Sequence, residues 1–402
     1  MRFRSFAAAV LVLVALLALA GAAQAISTPT LRAKLAREMR HAGPYSGIYV
    51  RDLETGRTLY TSKADVARIP ASVQKLYTTS AALLRFGPDA TLPTTLSGTG
   101  ALDAGGVWRG DLYLHGGGDP TFDRTDLEAL AATVAGNGIL RVAGSILGDE
   151  SRLDALRGSY DTGGAYDRDI GGVLGALTLA RGFSKDSSPA GHAAGQLAKH
   201  LRAQGIRVDG KSGVGTTPAG TTELGAVQSP PIRDLIGLTN VPSDNFLAEM
   251  LVKDLGAQFG AGGTTTAGVA VVRAQLATFG VHPRIVDGSG LSRADRTTPR
   301  QVVRLLEIMH GQAVGATFEG SLAVAGRTGT IAKRMRRTPA QDSCRAKTGT
   351  LIGVSALAGL CTSASGHQIA FAMLMNRIGT TRAHGVQDRI AAALARYDGA
   401  AR

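Results

Sequence analysis

Two apolar runs near the end of the chain, V-S-A-L-A-G-L-C (354–361) and Q-I-A-F-A-M-L-M (368–375), are separated only by a turn signal from Ser363 to Gly366. Strands this continuously apolar need cover on both faces. A helical pattern from Val386 to Tyr397 follows them. Near the other end, a helix-like stretch (Thr30 to His41) precedes G-I-Y-V-R-D-L and R-T-L-Y-T, which flank Glu54-Thr55-Gly56 as a β-hairpin. The expected fold class is therefore α/β (α+β): a central antiparallel sheet with helices from both chain ends on its faces.

The middle of the chain has a different texture. Pro70, good helix formers and apolar Val73, Leu76, Tyr77, Ala81 and Leu84 predict a buried helix that ends near Gly87-Pro88, with Ser72 in its first turn. From Thr91 to Gln228 short strand-like pieces alternate with many glycines and two helical patches, Asp126–Ala135 and His192–Gln204. Helical periods return at Asn245–Leu255, Thr265–Phe279 and Pro299–Met309. The predicted organisation is a discontinuous domain, 27–90 and 229–402, interrupted by an inserted α+β domain over 91–228. A chain of 402 residues exceeds one comfortable core, which agrees with two domains.

The chain opens M-R-F-R, runs apolar from Phe6 to Ala23, and reaches Ala23-Gln24-Ala25, the three regions of a secretory signal peptide. An uncleaved anchor is the alternative. Loss of residues 1–25 removes Arg2 and Arg4 and no acid, so 44 basic residues become 42 against 31 acidic ones, a balance of +11. For an exported chain without a Lys/Arg block interleaved with aromatics, this charge points to anionic wall polymers or a membrane surface and away from nucleic acid. The expected location is periplasmic or extracellular, in association with the cell envelope. The two cysteines, Cys344 and Cys361, would face each other if the chain reverses near Ile352 and Gly353, so a disulfide is expected in an oxidising compartment; two buried free thiols are the alternative.

Three short motifs carry chemistry. P-A-S-V-Q-K places Ser72 three residues before Lys75 at a helix start. V-P-S-D-N places Ser243, Asp244 and Asn245 before another helix, where they also read as an N-cap. K-T-G-T, Lys347 to Thr350, leads into the apolar strands and offers a cation, hydroxyls and an open glycine for a carboxylate. A near-copy, Arg327-Thr328-Gly329-Thr330, runs instead into the basic stretch Ile331-Ala332-Lys333-Arg334. Each motif alone is weak. In this order they are the signature of penicillin-binding proteins and class A β-lactamases.

The chain resembles the D-alanyl-D-alanine carboxypeptidase/endopeptidase family typified by penicillin-binding protein 4, the class C low-molecular-mass group of serine peptidases. H-G-G-G-D-P-T (115–121), G-S-I-L-G-D (144–149), D-G-S-G-L-S-R (287–293) and G-T-I-A-K-R-M (329–335) are similar to family landmarks. The resemblance implies a β-lactamase/transpeptidase-like fold and an acyl-serine mechanism on D-Ala-D-Ala termini of peptidoglycan stem peptides, and on D-Ala cross-links. Ser72 would be the nucleophile, Lys75 its base, Ser243 a proton relay and Asn245 a positioning group. Lys347, Thr348, Gly349 and Thr350 would bind the substrate carboxylate. β-Lactams would acylate Ser72, and no cofactor is implied. The separation of 171 positions from Ser72 to Ser243 is shorter than in members with two further inserted domains, so a reduced or missing third domain is expected.

Two other functions compete. A non-catalytic envelope-binding protein would keep the fold and use the basic surface, but has no need of a nucleophile and base together. A β-lactam hydrolase of class A needs E-x-x-L-N, which none of Glu128, Glu223 and Glu249 completes. Gly116-Gly117-Gly118-Asp119 lacks the G-K-[ST] of a phosphate loop, and the eight histidines show no metal-ligand spacing. Asp287 to Gly290 reads as a turn that the resemblance places beside the cleft, and Arg293 as a solvated arginine or a contact to the stem peptide.

Overall fold

The computed structural model describes residues 25–182 and 188–400. The expected leader lies, apart from Ala25, outside the described residues. Helix α1 (Thr28–Ala42) leads into the hairpin β1 (Ser46–Asp52) and β2 (Thr58–Ser62). A 3₁₀ turn (Ala71–Gln74) then runs directly into α2 (Lys75–Phe86). Ser72 thus lies in a 3₁₀ turn where the sequence predicts an α-helical one. Residues i and i+3 eclipse in 3₁₀ geometry, so the change brings Lys75 over Ser72.

Between the two halves of this fold lie β3 (Pro93–Gly98), β4 (Val107–Trp108), β5 (Leu112–His115), α3 (Arg124–Gly136), β6 (Arg141–Val142), β7 (Ile146–Asp149), α4 (Pro189–Ala203), β8 (Arg207–Val208), β9 (Ser212–Val214) and β10 (Thr222–Gln228). They form a five-stranded mixed sheet in the order β10-β3-β5-β7-β9 and a small parallel one, β4-β6-β8. Leu96, Leu114, Leu127, Ile146 and Leu197 belong to a core of their own there.

The chain then returns through α5 (Ile232–Asn240), α6 (Asn245–Phe259), α7 (Thr265–Ala277), α8 (Pro299–His310), α9 (Gly315–Gly320), β11 (Ala323–Val324), β12 (Cys344–Leu351), β13 (Val354–Thr362), β14 (Gln368–Asn376) and α10 (Thr380–Leu394). Helix α5 has only nine residues, too few to print a period in the sequence. Helix α10 begins six residues before the apolar pattern because its first turn, T-T-R, is solvent-facing.

The main sheet has the order β11-β12-β13-β14-β1-β2, all antiparallel, so both chain ends build it. Its two faces differ. Ala356, Ala358, Ala370 and Ala372 look toward α2, α6 and α8, whereas Leu357, Phe371, Met373 and Met375 look toward α1 and α10. Alternate residues of a strand point to opposite faces, and the small side chains let α2 approach the sheet closely. The tight turn at Ile352 and Gly353 sets Cys344 opposite Cys361, and the two are joined by a disulfide. Among the described residues no helix is long and apolar enough to cross a membrane.

Candidate active site

The site lies where the start of α2, the loop before α6, the loop from Val286 to Asp295, and β12 meet. Lys75 is fully buried on the first turn of α2. Its amine has three neighbours: Ser72 Oγ at 3.1 Å, Asn245 Oδ1 at 2.6 Å and the Ser289 carbonyl oxygen at 2.7 Å. Two of these are carbonyl oxygens that can only accept. A neutral amine that keeps its two hydrogens on them must turn its lone pair to Ser72 Oγ. That orientation suits a base for the serine hydroxyl.

Burial lowers the Lys75 pKa to about 8, against the opposing pull of Asp287, Glu249 and Asp244. Lys347, equally buried on β12, is held well below its usual range by burial and by the charge of Lys75. Its amine donates to the Thr348 carbonyl oxygen at 3.1 Å.

The S-D-N loop performs two tasks. Asp244 is the N-cap of α6, its carboxylate accepting from the Leu247 amide at 2.9 Å, and it also pairs with Arg181 at 2.6 Å. Asn245 bridges: Oδ1 holds Lys75, and Nδ2 donates to the Asp169 carbonyl oxygen at 2.7 Å. Ser243 adopts φ +68°, and Ala71, just before Ser72, adopts φ +48°. Non-glycine residues enter this region at a cost of about 1–3 kcal/mol, and such strain clusters at functional sites.

Gly349 explains itself sterically. A β-carbon there would stand 2.5 Å from the Pro70 carbonyl oxygen and 3.1 Å from the amides of Ser72 and Val73. The sequence suggests a glycine left open for a ligand; the neighbour that demands it is the turn bearing Ser72. Thr348 Oγ1 donates to Thr330 Oγ1 at 2.7 Å. Gly329 and Thr330, from the near-copy of the K-T-G motif, are wedged between Val241 and β12, with the Thr330 amide on the Val241 carbonyl oxygen at 3.2 Å. Thr330 is therefore a site neighbour that sequence reading sets aside, because only the tertiary fold brings 330 to 348. Arg293 reaches across to the Ile352 carbonyl oxygen at the tip of the β12–β13 turn, so it is not simply solvated.

A desolvated lysine on a serine hydroxyl, with a second buried lysine on the adjoining strand of an antiparallel sheet, defines the class: serine hydrolases of the β-lactamase/transpeptidase-like fold. The model of the D-Ala-D-Ala carboxypeptidase 3 (S13) family matches residues 30–166 and 172–397. The chain is 32% identical to a D-alanyl-D-alanine carboxypeptidase of Actinomadura sp. (strain R39), over 89% of this chain and 82% of that protein. In three dimensions it resembles penicillin-binding protein 4 of Haemophilus influenzae, with a TM-score of 0.78 at 21% identity over 89% of this chain and 97% of the other. A predatory peptidoglycan endopeptidase from Bdellovibrio bacteriovorus shares the fold with a TM-score of 0.55 at 17% identity, over 87% and 92%. The chain belongs to the D-Ala-D-Ala carboxypeptidase 3 (S13) family and is a serine-type D-Ala-D-Ala carboxypeptidase.

Proposed function

We propose that Ser72 is the nucleophile of this carboxypeptidase and Lys75 its base, acting on the D-Ala-D-Ala ends of peptidoglycan stem peptides. The observation that carries this reading is the Lys75 amine, fully buried and held by Asn245 and Ser289 with Ser72 Oγ at 3.1 Å. Ser72 gives its proton to Lys75 as Oγ attacks the penultimate D-Ala carbonyl. The amides of Ser72 and Thr350 receive the oxyanion, each such donor contributing about 3 kcal/mol. Ser243 passes a proton to the leaving D-alanine amine, whose carboxylate rests on Lys347, Thr348 and Thr350. Water then attacks the acyl carbonyl as Lys75 takes one of its protons, and Lys75 hands that proton to Ser72 Oγ as the shortened peptide leaves. Cross-links present a D-Ala carbonyl to the same serine, so endopeptidase activity belongs to this reading, as does acylation by penicillins.

Residues 27–90 and 229–402 act as the catalytic domain and 91–228 as an inserted domain that presses on α6. Lys253 of α6 binds Asp154 and, at 2.8 Å, the Leu156 carbonyl oxygen, while Leu153, Ile170 and Leu174 pack on Phe246 and Met250. The chain is exported to the envelope. Anionic wall polymers are received on the face made by α1 and α10, where Lys34, Arg37, Arg337, Arg382, Arg389 and Arg396 line two hollows that share Arg37, Arg389 and the Glu38 carboxylate paired with both, leaving a basic excess.

The test is the intact mass of the protein after benzylpenicillin, with Ser72→Ala alongside, together with D-alanine release from a D-Ala-D-Ala peptide. One penicilloyl group on the wild type alone is expected. No adduct and no D-alanine would overturn the assignment.

A further inference from the structure

Three carboxyl groups lie buried behind Lys75 with no task in the chemistry above: Glu249, Asp287 and Asp295, each 1% exposed or less. Among the described residues none of them forms an ion pair within 4.0 Å. Glu249 stands one helical turn beyond Asn245 on α6, so the two share a face. Asn245 meets Lys75 directly. Glu249 meets the loop that meets Lys75: its Oε1 accepts from the Gly288 amide at 3.0 Å and the Ser289 amide at 2.8 Å. The same two residues turn their carbonyls to α2, Gly288 to Thr78 Oγ1 at 2.7 Å and Ser289 to the Lys75 amine at 2.7 Å.

The aspartates close the loop on itself. Asp287 accepts from the Gly290 and Ser292 amides, both at 2.7 Å, and Asp295 Oδ1 from the Val286 amide at 2.8 Å. Asp295 Oδ2 has no N–H or O–H partner and faces the Asp287 carboxyl. Two buried acids in this relation share one proton. The proton sits on Asp295, so Asp287 keeps its charge, and Asp287 and Glu249 are the two buried carboxylates that act on Lys75 from behind. The charged groups facing Lys75 are Asp244, Glu249 and Asp287, with Lys347 on β12 as the like charge; Asp244 is already paired with Arg181. Those facing Glu249 are Asp287, Asp295 and Lys75.

We propose that Glu249 is a positioning residue of acylation: one oxygen fixes the Gly288–Ser289 backbone against the Lys75 amine, and its negative charge balances the two lysines buried in the site. This rests on the reading of Ser72 and Lys75 as the acylating pair. Burial and Asp287 raise the Glu249 pKa, so its charge develops in the range where Lys75 must lose a proton. The charge of Glu249 therefore bears on the proton of Lys75.

Both amides meet the same Glu249 oxygen, so Glu249→Gln can keep the geometry and remove only the charge, whereas Glu249→Ala removes both. The measurement is the second-order rate of penicilloyl transfer to Ser72 as a function of pH, for the full chain, with folding checked by circular dichroism. Loss of a nearby negative charge makes the Lys75 ammonium less stable. In Glu249→Gln the acid limb should therefore move down by about one pH unit, with a plateau near wild type. Glu249→Ala should lose about 100-fold at every pH. A Glu249→Gln limb that superimposes on wild type overturns the proposal, as does a Glu249→Ala plateau equal to wild type. If Glu249→Ala does not fold, the Glu249→Gln profile decides alone. A wild type that takes no penicilloyl group at Ser72 overturns the acyl-serine assignment itself, and this inference with it.

Discussion

Gly349 and Ser72 are in such close approach that a β-carbon on the glycine would stand 3.1 Å from the serine amide nitrogen. Sheet and serine-bearing turn are thus built against each other, and the space between them is closed to any side chain. Gly349→Ala must push away the turn that carries Ser72, together with the Pro70 carbonyl oxygen that the new carbon would meet at 2.5 Å. A displacement of this kind costs about 100-fold in rate when it falls between reacting groups. The expected outcome is a folded protein by circular dichroism whose acylation by a fluorescent penicillin is slowed by about that factor. Wild-type labelling in Gly349→Ala would show that the turn and strand can separate without consequence.

The base role proposed for Lys75 requires a neutral amine, and burial brings its pKa down to about 8. Acylation should therefore climb about tenfold per pH unit on the acid side and level off above about pH 8. The sign follows from the charge: protonation at low pH fills the lone pair aimed at Ser72. Lys75→Arg, which stays charged throughout, should abolish the rise. Stopped-flow acylation with a chromogenic β-lactam across this range gives the midpoint directly; a rate independent of pH would remove Lys75 from the role.

The parts of this site written locally were legible in the sequence, and those written across the fold were not. Ser72 and Lys75 are three apart, and S-D-N and K-T-G are contiguous, so spacing alone exposes them. The apolar strands β13 and β14 likewise announce a sheet covered on both faces. Glu249 carries no such mark, because its partners Gly288 and Ser289 lie 39 and 40 residues away. Thr330 sits in what reads as a chance copy of K-T-G, and only the fold sets it 2.7 Å from Thr348. The 3₁₀ turn at Ser72 was hidden for a further reason: helix formers and Pro70 favour an α-helix there, and packing of Gly349 against the turn overrides them.

Thr330 gives the next prediction. In the free protein Thr348 Oγ1 donates to Thr330 Oγ1; a bound carboxylate would take that hydrogen instead, and the Thr330 hydroxyl can then turn to donate to Thr348 Oγ1, so the pair holds the Thr348 side chain in both states. Thr330→Val removes the acceptor while keeping the shape, and a neutral hydrogen bond of this kind contributes about 1 kcal/mol. KM for a D-Ala-D-Ala peptide should rise by up to about tenfold with kcat little changed, because carboxylate binding is disturbed and the Ser72–Lys75 pair is not. Steady-state D-alanine release distinguishes the two parameters. A fall in kcat at constant KM would instead place Thr330 in the chemical step.

The disulfide between Cys344 and Cys361 joins β12 to β13 across a separation of 17 residues, and both cysteines are fully buried. Closing a loop of this size restricts the unfolded chain by about 3 kcal/mol. The native ladder itself continues from that pair through Lys347–Ala358 and Gly349–Ala356 to Leu351–Val354, held by main-chain hydrogen bonds that do not need the sulfurs. Replacing both cysteines by alanine should therefore lower the urea midpoint by the amount that corresponds to about 3 kcal/mol while leaving penicillin acylation of the folded protein within a few-fold of wild type. Because the bond lies inside the core between the sheet and α10, mild reductant should act on it only after the strands open. The wild type should then resist reduction under native conditions and yield under denaturant, which thiol labelling followed by mass spectrometry measures. Rapid labelling of the native protein would mean that β12 opens locally, and with it the strand that carries Lys347.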